Sequence, residues 1–409
     1  MKSFEVPEFY RSKLISAVKQ KRKQQDHLKK DFSPTVLDYG TVQILLARHF
    51  GFCYGVENAI EIAFKTVADN PGKRIFLLSE MIHNPAVNAD LQRSGVNFIM
   101  DTKGNMITPW DSITSEDIVI VPAFGTTLET EALLKSKGID PHRYNTTCPF
   151  VEKVWKRGSQ IAQEQYTLVI HGKPDHEETK ATFSHSADKA PSIVVKDMKE
   201  AKLLAQYITG EVDASNFATQ FAGRYSAGFD VAKDLVRIGV INQTTMLAED
   251  TKAIADYLRD VLVKHYQLND ASVSQHFADT RDTLCYATND NQSAVKGMLQ
   301  ESADLAVVVG GYNSSNTSHL VELCEEVLPT YFIKDASNIH SNTTIERYHF
   351  RTHETEVVHN YLPQHTQPVR IMITSGASCP DAVVEGVIEK LLAYYGVEVY
   401  DDGVLAALA

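Results

Sequence analysis

Three cysteines occupy equivalent places along the chain, and thiols so placed could hold a metal. Cys53, Cys148 and Cys285 each close a short polar approach and stand just ahead of a stretch with helical apolar periodicity, in the segments 46–64, 144–162 and 282–299. A helix N-terminus favours the thiolate, which is the form that binds metal. Three thiolates suit a soft metal. Zinc would take a fourth ligand, for which His83 or His176 is available, whereas an iron–sulfur cluster on three cysteines keeps one iron open to substrate. The chain has no close Cys/His pairing of the zinc-finger kind, which favours the cluster. Cys324 lies at an apolar helical position in 319–328 and reads as a buried structural thiol. Cys379 has threonines as its counterparts in the other copies and reads as a bystander.

After each cysteine comes an apolar strand that ends in a polar loop and opens another helix. The loops are His83-Asn84, His176-Glu177-Glu178 and Asn313-Ser314-Ser315-Asn316, which start 30, 28 and 28 residues past Cys53, Cys148 and Cys285. A further strand–loop–helix element follows in each copy, with loops Phe124-Gly125-Thr126-Thr127, Asn242-Gln243-Thr244-Thr245 and Gly376-Ala377-Ser378-Cys379. Hydroxyls, amides and backbone N–H groups at helix N-termini make ready phosphate sites. Ser314, Ser315, Asn316 and Ser378, joined by His83 and His176, therefore point to phosphate or diphosphate binding. There is no Walker or G-x-G-x-x-G signature, so a nucleotide is not indicated. Glu178 is a carboxylate beside that negative charge; its pKa is expected to rise, which suits a proton donor. Gln243 and Thr244 are placed to hydrogen-bond the donor or the substrate.

The elements that must position these loops follow from the repeat. The expected architecture is α/β: three similar βα lobes, each a small parallel sheet with helices, in a pseudo-threefold trefoil around a shared metal centre. Ligands of such sheets sit beyond the carboxyl ends of the strands, where every loop above falls. The expected divisions are a basic helical extension over 1–40, a first lobe over 41–147 whose first strand could join the third, a second lobe over 148–282, and a third lobe with a tail over 283–409. The second lobe carries an insert near 210–230 that is rich in Gly, Ala, Ser and Asn and reads as a long loop. Residues 10–30 read as one exposed basic amphipathic helix, either packed on the body with its polar face solvated or docking an acidic partner. The stretch 340–365 holds five of the fifteen histidines in no metal-ligand spacing and reads as a polar surface loop and strand.

Composition excludes several functions. The net charge is −12, and residues 1–40 carry nine basic against five acidic residues, so the remainder stands at −16. Such a body argues against nucleic-acid binding. No apolar run approaches the length of a membrane helix. Five cysteines without a C-x-x-C pair do not form a disulfide framework and fit the reduced cytoplasm, the expected location. A homodimer is compatible with the sequence.

These residues and their order resemble the 4-hydroxy-3-methylbut-2-enyl diphosphate reductase family, the LytB/IspH proteins, over roughly residues 44–398. The motifs are Gly51-Phe52-Cys53 with Gly55-Val56, His83-Asn84, Thr147-Cys148-Pro149, His176 with Glu178, Gln243-Thr244-Thr245, Cys285-Tyr286-Ala287-Thr288, Asn313-Ser314-Ser315-Asn316 and Gly376-Ala377-Ser378. The resemblance implies one 4Fe-4S cluster per chain on Cys53, Cys148 and Cys285, with the substrate oxygen on the unique iron. It implies a diphosphate held by His83, His176, Ser314, Ser315, Asn316 and Ser378, with Gln243 and Thr244 at the substrate and Glu178 as proton donor. The implied reaction is a two-electron reductive dehydroxylation to isopentenyl and dimethylallyl diphosphates, the last step of the methylerythritol phosphate isoprenoid pathway. A ferredoxin, flavodoxin or similar carrier would supply the electrons. Two features depart from the compact bacterial pattern. Phe124 stands where many bacterial members have histidine, and the extension and insert resemble the longer, plant- and cyanobacteria-like branch. Two rival readings are another three-cysteine cluster enzyme, such as quinolinate synthase, and a non-catalytic redox sensor. The motif order does not suggest the first, and the second has no need of Glu178 or of converging diphosphate loops.

Overall fold

The computed structural model describes residues 4–278, 283, 285–363 and 368–408. The chain divides into two compact units: Met1–Glu57 with Ile82–Asn88 and Tyr286–Ala409, and Asn58–Met81 with Ala89–Cys285. Asp282, where the second lobe is expected to end, and His365 lie outside the described residues.

The first unit is built on a five-stranded sheet in the order Thr35–Asp38, Val42–Leu46, Val369–Ser375, Leu305–Val309, Thr330–Ile333. Only Thr35–Asp38 runs antiparallel to its neighbour; the other pairs are parallel. Parallel strands covered on both faces read as continuous apolar runs rather than alternating ones. Leu305-Ala306-Val307-Val308-Val309 is such a run, and no residue in it is more than 1% exposed. Three neighbouring parallel strands thus send their carboxyl ends the same way, into the loops that carry Cys53, Ser314 and Ser378.

The second unit contains two three-stranded parallel sheets. One has the order Val96–Phe98, Ile75–Leu77, Ile118–Ile120, and the other Ser192–Val195, Thr167–His171, Ile238–Asn242. Parallel sheets with intervening helices are the mixed α/β architecture the repeat predicts. Among the described residues no helix is long and apolar enough to cross a membrane.

Two segments are more ordered than their composition suggests. The N-terminal helix is shorter than the stretch 10–30, running over Lys13–Gln25 with the Ser12 hydroxyl capping it through Ile15 N–H. Leu14, Ile15 and Val18 pack into the first unit's core, as a helix lying on the body does. Beyond it, Asp26 pairs with Arg48 at 3.8 Å, and the Phe32 ring meets His49 edge-on at 6.0 Å. The insert near 210–230 is likewise no open loop. It forms a short helix, Phe217–Gln220, and its Phe217 and Phe221 rings are buried beside Tyr207. Ser226 N–H then bonds to Ser192 O at 2.9 Å, so the insert covers an otherwise open edge strand.

Two outcomes follow for stability. Leu14 is fully buried, so Leu14→Ala should cost about 2–5 kcal/mol, read as a lower urea midpoint for the first unit's transition. Burial, helped by the Arg48 guanidinium, pushes the His49 imidazole down from its ordinary 6.5 to about 4. The unfolded chain therefore takes up this proton first, and stability present above pH 6.5 is lost as pH falls toward 4. His49→Gln should flatten that part of a urea-midpoint-against-pH profile.

Candidate active site

In the first unit, three polar loops lie together because glycine lets them. The helix Ser315–Glu325 is capped by the Ser314 hydroxyl, which accepts from Thr317 N–H at 3.2 Å and from Thr317 Oγ1 at 2.9 Å. Around Thr317 the chain passes too closely for side chains. A Cβ on Gly310 would lie 2.7 Å from Thr317 Oγ1, and one on Gly376 only 2.0 Å away. Gly311 sits equally tight against the loop of His83, whose carbonyl oxygen a Cβ would meet at 2.2 Å. The loops are then cross-tied: Ser378 Oγ donates to His83 O at 3.1 Å, and Ala377 N–H donates to Asn316 Oδ1 at 2.9 Å. His83, Ser314, Ser315, Asn316 and Ser378 are all buried. Ser315 Oγ and Asn316 Nδ2 have no hydrogen-bond partner among the described residues. Buried donors left unpaired are costly, so these two mark a place for an anion at the helix N-terminus.

Cys53 belongs to the same cluster of loops. Its N–H donates to Ala377 O at 3.2 Å, and the helix Tyr54–Asp69 begins at the next residue. Gly51, at φ +79°, lets the approach turn past Asp381, whose Oδ1 a Cβ would meet at 2.4 Å. Asp381 is held by Lys19 at 2.8 Å, which ties the N-terminal helix to this turn.

In the second unit the carboxylate Glu178 is 1% exposed in the first turn of the helix Glu177–Ala187. Thr244 donates to it twice, from N–H to Oε1 at 2.5 Å and from Oγ1 to Oε2 at 2.9 Å. His176 caps the same helix, its Nδ1 accepting from Glu178 N–H at 3.1 Å. Gln243 acts as a brace: Oε1 accepts from Lys173 N–H and Thr179 Oγ1, both at 3.0 Å, and Nε2 donates to Thr245 at 2.6 Å. It therefore shapes the loops around Glu178. Phe124 packs edge-on against His176 with centroids 5.6 Å apart, and Thr126 spends its carbonyl on His185 Nε2.

Cys148 caps the helix Pro149–Gln163 and donates its N–H to Ala123 O at 2.9 Å. Cys285 is buried and precedes the helix Tyr286–Met298. All five cysteines are thiols. Burial pushes Cys324 up to about 12 and Cys379 higher still, so neither is a thiolate donor. Among the described residues no group of three or more His, Cys, Asp and Glu side chains is placed to hold a single metal ion. The chemistry of the donor set nonetheless fits an iron–sulfur cluster: three thiols of the soft class, each at the start of a helix.

The sequence alone does not single out Thr317 or Thr179, both fully buried polar residues in the first turns of their helices. The signal for Thr317 was present in the glycines at 310 and 376, which mark close backbone approach without saying to what.

The chain is similar to known proteins in sequence and in fold. The family description "LytB protein" matches residues 44–392. A 4-hydroxy-3-methylbut-2-enyl diphosphate reductase of Synechococcus sp. (strain RCC307) is 42% identical over 354 residues, covering 86% of this chain and 84% of that protein. The protein of the same name from Cyanothece sp. (strain PCC 7425) is 41% identical over 357 residues, covering 87% and 85%. Two solved structures share the fold. One is the (E)-4-hydroxy-3-methyl-but-2-enyl diphosphate reductase described as the terminal enzyme of the non-mevalonate pathway (TM-score 0.50, 24% identity, 86% of this chain and 99% of that one). The other is the E-1-hydroxy-2-methyl-but-2-enyl-4-diphosphate reductase of Plasmodium falciparum (TM-score 0.60, 20% identity, 85% and 87%).

The seat of Thr317 can be tested by filling it. Gly376→Ala should destabilise the first unit by about 1–3 kcal/mol in urea unfolding, as overpacking does, and adding Thr317→Ala should recover part of that loss.

Proposed function

The chain belongs to the LytB protein family, and from that premise we propose that it reduces (E)-4-hydroxy-3-methylbut-2-enyl diphosphate to isopentenyl and dimethylallyl diphosphates. The conversion breaks the allylic C–O bond, takes up two electrons and two protons, and releases water. It would be the last step of the methylerythritol phosphate pathway, with a ferredoxin, flavodoxin or similar carrier as electron donor.

The observation that carries the reading is the pairing of Glu178 with Thr244. A buried carboxylate bound at both oxygens by one threonine is oriented for a single task. In its protonated form Glu178 gives a proton from Oε2 to Thr244 Oγ1, which passes its own to the departing hydroxyl. The Thr244 N–H bond to Oε1 holds the carboxyl in register with that hydroxyl. In the first unit, the unpartnered Ser315 Oγ and Asn316 Nδ2, with Ser314, Ser378 and His83, bind the diphosphate oxygens. His176 assists in the second unit, oriented by its cap bond to Glu178 N–H. Cys53, Cys148 and Cys285 would hold a 4Fe-4S cluster, which supplies one-electron transfer and a Lewis-acidic iron for the substrate oxygen. Phe124 offers His176 an edge-on aromatic contact.

The test is anaerobic turnover of the hydroxymethylbutenyl diphosphate with reconstituted protein and a reduced carrier. Both isoprenyl diphosphates should appear, and their absence would sink the assignment. Glu178→Gln should lower kcat by at least about 100-fold, the scale of general acid catalysis, while the visible absorbance of the cluster stays unchanged. Loss of that absorbance would make Glu178 structural.

A further inference from the structure

The connection between the strands Thr330–Ile333 and Val369–Ser375 carries an antiparallel hairpin, Thr344–His349 with Glu354–His359, that takes no part in the chemistry above. This is the histidine-bearing stretch that reads as surface in the sequence. Its second strand is exposed along nearly its whole length. Tyr348 and Phe350, however, turn onto the first unit's core. The Tyr348 ring lies face to face with Tyr312, centroids 4.2 Å apart and planes within 9°. Both meet the buried Phe332 ring edge-on, at 5.7 and 5.3 Å. Tyr312 is only two residues ahead of Ser314, so the three-ring stack fixes the entry to the Ser314-Ser315-Asn316 turn.

The turn of the hairpin grips the far end of the helix that the Ser314-Ser315-Asn316 turn opens. Arg351 pairs with Glu325 at 2.8 Å and with Glu322 at 3.5 Å, both on the helix Ser315–Glu325. Glu322 holds His319 Nδ1 at 3.2 Å. His319 lies one turn beyond Ser315 on the same face of the helix. The peptide before Tyr312, Gly310-Gly311, is packed against Thr317 and the His83 carbonyl, so the ring stack adds a hold on the side of the turn that those contacts leave to Tyr312. An anion site made of hydroxyls and helix N–H groups binds well only if its donors are already in place.

We propose that this hairpin is a clamp that sets the diphosphate-binding turn, with Tyr348 and Arg351 as positioning residues; the proposal rests on the reading of Ser314, Ser315 and Asn316 as the diphosphate site. The clamp acts on ground-state and transition-state binding alike, so its loss raises KM and leaves kcat.

The experiment uses the anaerobically reconstituted holoenzyme and two readouts, KM for the substrate and the inhibition constant of inorganic diphosphate. Tyr348→Ala should raise both by about fivefold, the size of an aromatic pair, with kcat within about twofold. Tyr348→Phe keeps the stack and loses only the 2.8 Å bond to His353 Nδ1, so it should behave as the parent protein. Arg351→Ala, which removes a half-exposed side chain and leaves the core intact, should raise both constants by about twofold. Ser315→Ala serves as the control for the site itself. If Ser315→Ala weakens diphosphate inhibition while Tyr348→Ala and Arg351→Ala do not, the clamp is overturned and the site stands. If none of the three changes it, both readings fall. A Tyr348→Phe loss equal to that of Tyr348→Ala, or a fall in kcat with an unchanged inhibition constant, also overturns the clamp.

Discussion

The first unit's polar loops depend on one contact, the seat of Thr317 against Gly310 and Gly376. Two strands that end side by side must each turn into a helix, and their loops compete for the space above the sheet. Removing two side chains lets the chain of both loops close on one hydroxyl. That hydroxyl binds the cap of its own helix, so the same few ångströms settle where Ser314, Asn316 and Ser378 lie. The loops are thereby stiff without a large apolar content, which is what an anion site in an acidic protein requires. Positive charge is not spent there; oriented amides and hydroxyls are.

The second unit solves a different problem with similar means. A carboxylate with 1% exposure needs hydrogen bonds to both oxygens, and Thr244 supplies both. Gln243, next to it, ties three segments together through its amide and so keeps Thr244 from drifting. The two units therefore assign their polar side chains differently. The first leaves donors unpartnered for a ligand, and the second saturates an acid so that it points one way.

Much of this was legible in the chain because βα units impose short and nearly constant paths. The distance from each cysteine to the next polar loop is set by one helix and one strand, which is why it varies by only two residues among three copies. The helix-capping role of Ser314 and the first-turn place of Glu178 follow from residue type alone. What escaped were contacts between residues far apart in the chain. Nothing local says that Phe32 O lies where a Cβ on Gly297 would stand, 2.2 Å away, or that Phe217 and Phe221 make a core from a stretch rich in small residues. Residue type places Gln243 to bond the donor or the substrate, but does not show that its amide also bonds Lys173 N–H, Thr179 Oγ1 and Thr245 Oγ1.

The five-stranded sheet joins the two ends of the chain, with Val42–Leu46 pairing in parallel with Val369–Ser375. During synthesis the first of these strands leaves the ribosome more than three hundred residues before the second. At the usual pace of translation the wait is on the order of tens of seconds. Asn58–Met81 and Ala89–Cys285 both emerge complete in that interval and their sheets are built from nearby strands, whereas an apolar strand and the helix of Leu14, Ile15 and Val18 stay without their final partners. The first unit is therefore the part of the nascent protein most dependent on being shielded, and its cysteine at 53 is displayed long before the sheet that will seat it exists.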